Sequence, residues 1–465
     1  MFKDYGNKGA LITENKILLY GELNKECDSF QQSISERCLI FILCTNSVAS
    51  IVGYVSCINN NIVPVLLDAN LDKDMLLSLL DKYKPKYLWL PNDKKDIFSD
   101  YTAVYEYDGY MLLATGNADI NLHPDLALLM TTSGSTGSPK LVRLSYENLR
   151  SNTSSIVKYL ELTENDRTIT NLPMYYVYGL SIINTHLSVG ASIIVTEHSF
   201  FQREFWQLFK EHEVTNFGGV PYTYEMLTKL RFERMKLPAL RLLTQAGGKL
   251  SPELHAKYAE YATKQSKKFV VMYGASEATA RMGYLPADKS LDKVGYMGNA
   301  IPGGRFELLS ESGEVITDSN VEGELIYYGP NVSMGYASSC DDLSKGDENN
   351  GRLITGDIAL CDGDGYYKIT GRKKRFLKLF GKRTNLEEVE QLLKRHYISD
   401  IACGGVDDKL YIFYVDAEIG DGIISYISEK LGLHFSAFKA VQLAEIPKNE
   451  AGKTMYRELS KYYDL

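Results

Sequence analysis

Short apolar runs alternate with longer amphipathic stretches over the first two thirds of the chain. The runs at 39–44, 62–67, 126–130, 192–196, 240–243 and 269–272 have the length and composition of strands. Between them, 73–82 and 146–160 carry helical periodicity. In the second segment Leu149, Ile156 and Leu160 share one face, and Ser145 is placed to cap its N-terminus. From about residue 301 the pattern shifts to short strands and turns at 305–309, 323–328 and 366–369, a β-rich region. The stretch 340–352 is rich in Asp, Asn, Ser and Gly and reads as a solvated loop. Beyond Gly371 a compact tail is expected, with a helix placing Leu386, Val389, Glu390 and Leu393 in register. A hairpin around Asp407-Asp408 and a helix near 423–431 complete it. The alternation of strand and helix signals predicts a layered α/β protein followed by a small α+β tail.

Composition narrows the classes. The chain has 465 residues, 45% hydrophobic and 24% charged, ample for a large core and more than one domain. With 51 basic and 59 acidic side chains the net charge is −8, which argues against a general nucleic-acid binder. No apolar run approaches the ~18–20 residues that cross a bilayer, and the first residues lack the apolar core of a signal peptide. The seven cysteines form no CxxC pair and read as reduced, mostly buried thiols, and the seven histidines never pair at metal-ligand spacing. A cytoplasmic enzyme without a structural metal is expected, with no nucleic-acid partner and no transmembrane segment. The cluster Arg372-Lys373-Lys374-Arg375 reads, by itself, as a solvated basic surface.

The sharpest local feature is an apolar run entering Thr131-Thr132-Ser133-Gly134-Ser135-Thr136-Gly137-Ser138-Pro139-Lys140. Glycines let backbone N–H groups turn inward, hydroxyls add donors and the lysine adds a mobile positive charge, a set suited to a polyphosphate. Pro139 stands where a Walker A loop requires glycine, and neither a GxGxxG fingerprint nor a GxSxG elbow occurs in the chain.

The loop 132–140 resembles the signature loop of the adenylate-forming superfamily of acyl-CoA synthetases, luciferases and nonribosomal adenylation domains. The resemblance continues in order through Gly53 to Asp68, Pro173-Met174-Tyr175-Tyr176-Val177-Tyr178-Gly179-Leu180 and Tyr273-Gly274-Ala275-Ser276-Glu277. It then passes through Gly323-Glu324-Leu325 to Gly335-Tyr336, Thr355-Gly356-Asp357, Gly371-Arg372, and Pro447-Lys448-Asn449-Glu450-Ala451-Gly452-Lys453 with Arg457. In motif style it is nearest to stand-alone acyl-CoA synthetases. It implies a large N-terminal portion of layered α/β subdomains plus a β-rich subdomain, residues 1–373, and a small mobile α+β domain, residues 374–465.

The same resemblance implies ATP, Mg²⁺ and a CoA or phosphopantetheine thiol, and it distributes roles. Thr132, Ser133, Gly134, Ser135, Thr136, Gly137 and Lys140 would hold the phosphates, Thr136 being counted with the catalytic set. Glu277 would bind Mg²⁺. Tyr273 would flank the adenine with Gly247 and Gly248 opposite, Gly274 and Ser276 would belong to the nucleotide site, and Asp357 and Arg372 would hold the ribose side. Lys453 would serve adenylation and Lys378 thioester formation, exchanged by rotation about the hinge Lys374. Two departures from the family pattern are Leu141, where glycine or alanine is usual, and Arg375, where an acidic or small residue is common.

Members that load α-amino acids carry an aspartate in the acid-binding segment. Here Tyr175-Tyr176-Val177-Tyr178 offers no carboxylate, and a buried ammonium without a partner is costly, which favours a small carboxylic acid lacking an α-amino group. Tyr176, Tyr178, Gly219 and Met282 are the pocket candidates. CoA is the favoured acceptor. A carrier protein acting in trans and a non-catalytic nucleotide-binding homologue stay open as alternatives.

Overall fold

The computed structural model describes residues 1–34, 36–131, 140–379, 382–406, 408–449 and 452–463. Of Lys374, Phe376, Lys378, Lys382, Arg383 and Asp421 it describes the backbone alone. The chain divides into two compact units, one of residues 1–305 and 327–353, the other of residues 306–326 and 354–465. Among the described residues no helix is long and apolar enough to cross a membrane.

The first unit is built on two sheets. In the eight-stranded one, Leu126–Thr131, Val63–Asp68, Leu39–Cys44 and Tyr87–Pro91 run parallel at the centre. Antiparallel strands Gly335–Ala337 and Leu141–Ser145 flank one side, Tyr110–Ala114 and Thr102–Tyr107 the other. The six residues of Leu39–Cys44 are all buried, as a parallel strand covered on both faces requires. Helix Val48–Asn59 is apolar all round and buried from Val48 to Ile58. Leu141 is a core residue of its strand, fully shielded from solvent, which accounts for an apolar side chain at this position.

The nine-stranded sheet is parallel through Lys268–Tyr273, Leu242–Gln245, Asn216–Gly219, Arg167–Ile169, Ser192–Ile194 and Gly9–Ile12. Its outer strands Gly283–Leu285, Asn299–Ala300 and Ile17–Leu19 are antiparallel. The run predicted at 240–243 is shifted to Leu242–Gln245, because pairing with both parallel neighbours carries the ladder onto the polar Thr244 and Gln245. Helix Tyr146–Leu160 begins where the pattern places it. Ser145 Oγ accepts from Asn148 N at 3.0 Å and Asn148 Oδ1 accepts from Ser145 N at 2.8 Å, a reciprocal cap. The polar stretch 340–352 is less open than expected. It holds the 3₁₀ turn Cys340–Ser344, whose Leu343 is buried, and Arg143 donates to the Lys345 and Gly346 carbonyls and to Glu348.

Two buried histidines of this unit are held neutral. His186 Nδ1 donates to the Ile182 carbonyl at 2.8 Å and its Nε2 accepts from Asn216 Nδ2 at 3.0 Å. His255 Nδ1 accepts from Gly295 N at 3.1 Å, and its Nε2 donates to Ser290 Oγ at 3.1 Å. Burial lowers both from 6.5 to about 4. The unfolded chain therefore takes up protons at a pH where the folded one does not. Stability should be full above pH 6.5 and fall toward pH 4, by about 1.4 kcal/mol per pH unit for each histidine. Denaturant midpoints measured from pH 7.5 to 4.5 should show this slope, and His255→Gln should flatten it.

The second unit contains most of the four-stranded sheet Arg305–Leu309, Gly323–Tyr328, Arg352–Cys361 and Tyr367–Arg372. It also contains the hairpin Phe376–Leu379 with Lys382–Asn385, and the three-stranded sheet Ile401–Val406, Lys409–Tyr414 and Phe438–Gln442. Helices Leu386–Tyr397 and Gly420–Leu431 share one core with these strands, in which Leu386, Val389, Leu393, Ile423 and Ile427 meet Leu410 and Ile412. The basic cluster is not uniformly solvated: Arg372 and Lys373 are exposed, but Arg375 turns inward onto buried Glu390 at 2.6 Å.

Candidate active site

In an open α/β sheet, ligands collect beyond the C-terminal ends of parallel strands. Asn216–Gly219, Leu242–Gln245 and Lys268–Tyr273 are in parallel register, Gly219 opposite Gln245 and Gln245 opposite Val271. Their ends bring Gly219, Gly247, Gly248 and Tyr273 to one sheet edge. Gly247 adopts φ +85°, and a Cβ there would lie 2.6 Å from Tyr176 Oη, so this turn passes directly over the Tyr176 phenol. Gln245, fully buried, steadies the turn by donating from Nε2 to the Gly248 carbonyl at 2.9 Å.

The turn after Tyr273 is tightly determined. A Cβ on Gly274 would fall 1.7 Å from the Ala280 carbonyl oxygen, which excludes every other residue. Ser276–Ala278 forms one 3₁₀ turn, and Thr279 closes it in the left-handed region at φ +64°. Buried Asn331 holds the segment from outside, donating from Nδ2 to the Ala278 and Arg281 carbonyls at 2.8 Å each, while its Oδ1 accepts from Tyr327 Oη at 2.8 Å. Glu277 is thereby presented half-buried. Its Oε1 accepts from Tyr336 Oη at 2.7 Å and its carbonyl accepts from Ser333 N at 2.8 Å. Burial, followed by the adjacent carboxylate, pushes the Tyr336 phenol upward, so it stays a donor. Arg143, fully buried, fixes the strand that carries Tyr336 by donating to the Tyr336 carbonyl at 3.2 Å and the Met334 carbonyl at 2.9 Å.

Tyr178, on helix Val177–Ser188, is buried. Its Oη lies 2.8 Å from Thr244 Oγ1 and donates to the Thr244 carbonyl at 2.9 Å, and burial pushes the phenol up to about 12. Tyr178 lines a cavity with about 20 Å³ of water-accessible space, together with Gly218, Thr244, Met272 and Arg281. Gly219 and Met282 stand beside lining residues and are not themselves in its wall. Gly219 packs on Thr223 and Tyr224, and Met282 N donates to the Tyr273 carbonyl at 2.8 Å.

Five candidates belong to the second unit: Asp357, Arg372, Lys374, Lys378 and Lys453. Asp357 is 4% exposed, and its Oδ1 accepts from Arg372 Nε at 2.9 Å. Thr355 Oγ1 shapes the approach by accepting from Asp357 N at 3.0 Å and donating to the Leu325 carbonyl at 2.7 Å. Lys453 is carried on a loop closed by Asn449, whose Oδ1 accepts from Lys453 N and whose N donates to the Lys453 carbonyl, both at 2.9 Å. The backbones of Lys374 and Lys378 lie in a 3₁₀ turn and in a strand. Lys140 is exposed just before its strand, whereas Thr132, Ser133, Gly134, Ser135, Thr136 and Gly137 lie outside the described residues.

Glu277, in the first unit, has the chemistry to hold the magnesium of a nucleotide. Mg²⁺ favours one or two carboxylates together with phosphate oxygens and waters, and Glu277 is a single carboxylate with one oxygen engaged by a neutral donor. Asp357, held by a cation through one oxygen, can accept from neighbouring hydroxyls. Sequence reasoning missed Asn331, Tyr336, Asn449 and Arg281. Tyr336 and Asn449 stand in the quoted motifs without a role of their own, Arg281 shows only as a cation between Ala280 and Met282, and Asn331 left no trace.

Comparison with known proteins gives the same frame. The chain is 28% identical over 361 residues to an oxalate–CoA ligase of Arabidopsis thaliana, covering 73% of this chain and 68% of that one. It is 24% identical to a 2-succinylbenzoate–CoA ligase of Bacillus velezensis, covering 97% of this chain and 94% of that one. The fold matches the o-succinylbenzoate coenzyme A synthetase of Bacillus subtilis, solved in complex with ATP and magnesium ion. The TM-score is 0.79 at 21% identity, over 98% of this chain and 97% of that one. Residues 2–337 match the family described as AMP-binding enzyme, and the chain belongs to that family.

Proposed function

We propose that this protein is an ATP-dependent acid–thiol ligase with CoA as acceptor. A carboxylate oxygen bonds to the α-phosphorus of ATP as the bond to pyrophosphate breaks. A thiol sulfur then bonds to the acyl carbon as the bond to AMP breaks. The observation that carries this reading is the sheet edge that gathers Gly247, Gly248 and Tyr273, with Glu277 fixed on the following turn by Tyr336 and Asn331.

The reacting groups are all anionic, so the protein's task is positioning and charge neutralisation. Glu277 would hold the magnesium of its nucleotide, Asp357 with Arg372 the ribose, and Lys140 with residues 132–137 the phosphates. Lys453 would neutralise charge that gathers as the carboxylate and α-phosphate react. Lys378 would face the incoming thiol after rotation of residues 374–465 about Lys374. Tyr176 and Tyr178, without a carboxylate between them, favour an acid with no α-amino group.

The test is ATP–pyrophosphate exchange without thiol, run against short hydroxy acids, fatty acids, aryl acids, dicarboxylic acids and amino acids. Oxalate and 2-succinylbenzoate, for which the relatives are named, each carry two carboxylates and belong in the panel. Exchange with one class, followed by thioester formation on adding CoA, is expected. Thioester formation only with a phosphopantetheinylated protein would replace CoA by a carrier, and ATP binding without any exchange would overturn the ligase reading.

A further inference from the structure

Arg281 is a buried cation with no counter-charge among the described residues. It is 3% exposed, and its guanidinium carbon lies 4.0 Å above the Tyr178 ring. Nη1 donates to the Ala280 carbonyl at 3.0 Å, and Nε has no partner. Among the described residues no carboxylate pairs with it. Arginine cannot shed its proton to escape this environment, and an uncompensated buried charge is among the most costly features a fold can carry. The backbone here is nevertheless firmly held, the Arg281 carbonyl accepting from Asn152 Nδ2 at 2.9 Å and from Asn331 Nδ2 at 2.8 Å.

The unpaired cation stands in the wall of the cavity beside Tyr178. The other polar groups there do not balance it. His186 is neutral, the Tyr178 hydroxyl is engaged by Thr244, and Asn216 Oδ1 lacks a donor. The remaining wall is largely apolar, so the guanidinium sets the potential in a poorly screened space. Gly218 keeps that space open, since a Cβ would lie 2.9 Å from Ile182 and 3.0 Å from Tyr178 Oη. About 20 Å³ of water-accessible space suits a compact polar terminal group.

We propose that Arg281 determines acid specificity, and that the acid carries a second anionic group, a carboxylate or a sulfonate, at the end remote from the reacting carboxylate. This rests on the acid–thiol ligase reading above. The Nε left without a partner is a donor that either oxyanion can accept, and the ligand would supply the charge that the described residues leave out.

The experiment compares length-matched pairs in ATP–pyrophosphate exchange with the full-length enzyme. Malonate, succinate, glutarate and phthalate are set against propionate, butyrate, valerate and benzoate, with 3-sulfopropionate as the sulfonate arm. At least one doubly anionic acid should exceed its partner in kcat/KM by about 100-fold or more. Arg281→Met should erase that preference chiefly through KM, while Arg281→Lys should retain part of it. The preferred acid alone should raise the melting temperature of the wild type and not that of Arg281→Met. The melting temperatures of the free variants show whether each is folded, and the wild-type preference stands without them. Exchange that favours the singly charged acids, or a preference unchanged in Arg281→Met, overturns the proposal and leaves the ligase reading intact. Absence of exchange with every acid overturns both.

Discussion

Replacing Lys453 by alanine should slow acyl-adenylate formation by about 10²–10³-fold while ATP binding changes little. The expectation follows from how charge moves in the reaction. The carboxylate and the triphosphate are anionic throughout, but their charges are brought together only as the new bond forms. A cation supplied at that moment favours the transition state over the bound reactants, which is the condition for raising kcat. Asn449 grips the Lys453 backbone at both N–H and carbonyl, and Met455 N donates to the Pro447 carbonyl at 2.8 Å, so the chain on both sides of this half-buried lysine is held. Lys378→Ala should behave differently, sparing pyrophosphate exchange and slowing transfer of a preformed acyl-adenylate to CoA. Measuring the two half-reactions separately decides the matter. Equal loss of both in either variant would refute the division of labour.

How much of this was legible beforehand depended on the kind of signal. Elements with a strong period were read closely: Leu39–Cys44 and Tyr146–Leu160 occur at the expected residues, because apolar continuity and a Ser145 cap are local facts. The strand Leu242–Gln245 was read two residues early because its C-terminal half is specified by neighbours on either side, not by its own polar residues. The site divides in the same way. Tyr273, Glu277, Asp357 and Lys453 stand in ordered motifs and could be proposed from them. Asn331 and Tyr336 lie more than fifty positions from the turn they hold, and only folding brings their amide and phenol to it. Arg375 shows the opposite failure. Charge runs mostly stay in water, and nothing near it in sequence announces Glu390, fifteen positions on, as its buried partner.

That pair carries the second large expectation: Glu390→Ala should destabilise the second unit by about 3–5 kcal/mol. Glu390 is 5% exposed, and its Oε1 accepts from Arg375 Nη2 and from Cys403 N, both at 2.6 Å. Its Oε2 accepts from Tyr456 Oη at 3.0 Å, and the Arg375 guanidinium carbon lies 3.7 Å over the Tyr456 ring. Removing the carboxylate strands a buried cation and a backbone N–H together, whereas removing both charges with Arg375→Met and Glu390→Leu should recover much of the loss, a coupling that a double-mutant cycle isolates. The readout is favourable because both tryptophans, Trp89 and Trp206, belong to the first unit. Tryptophan fluorescence should therefore report an unchanged denaturant midpoint while far-UV circular dichroism reports an earlier transition from the second unit. A common shift in both signals would instead mean that the units unfold as one cooperative body. The same network bears on the proposed mechanism, since Arg375 directly follows Lys374 and Tyr456 lies three residues beyond Lys453. One buried carboxylate thus joins the chain after the proposed hinge to the chain after the proposed catalytic lysine. Glu390→Ala should accordingly lose adenylation even at temperatures where the second unit is still folded.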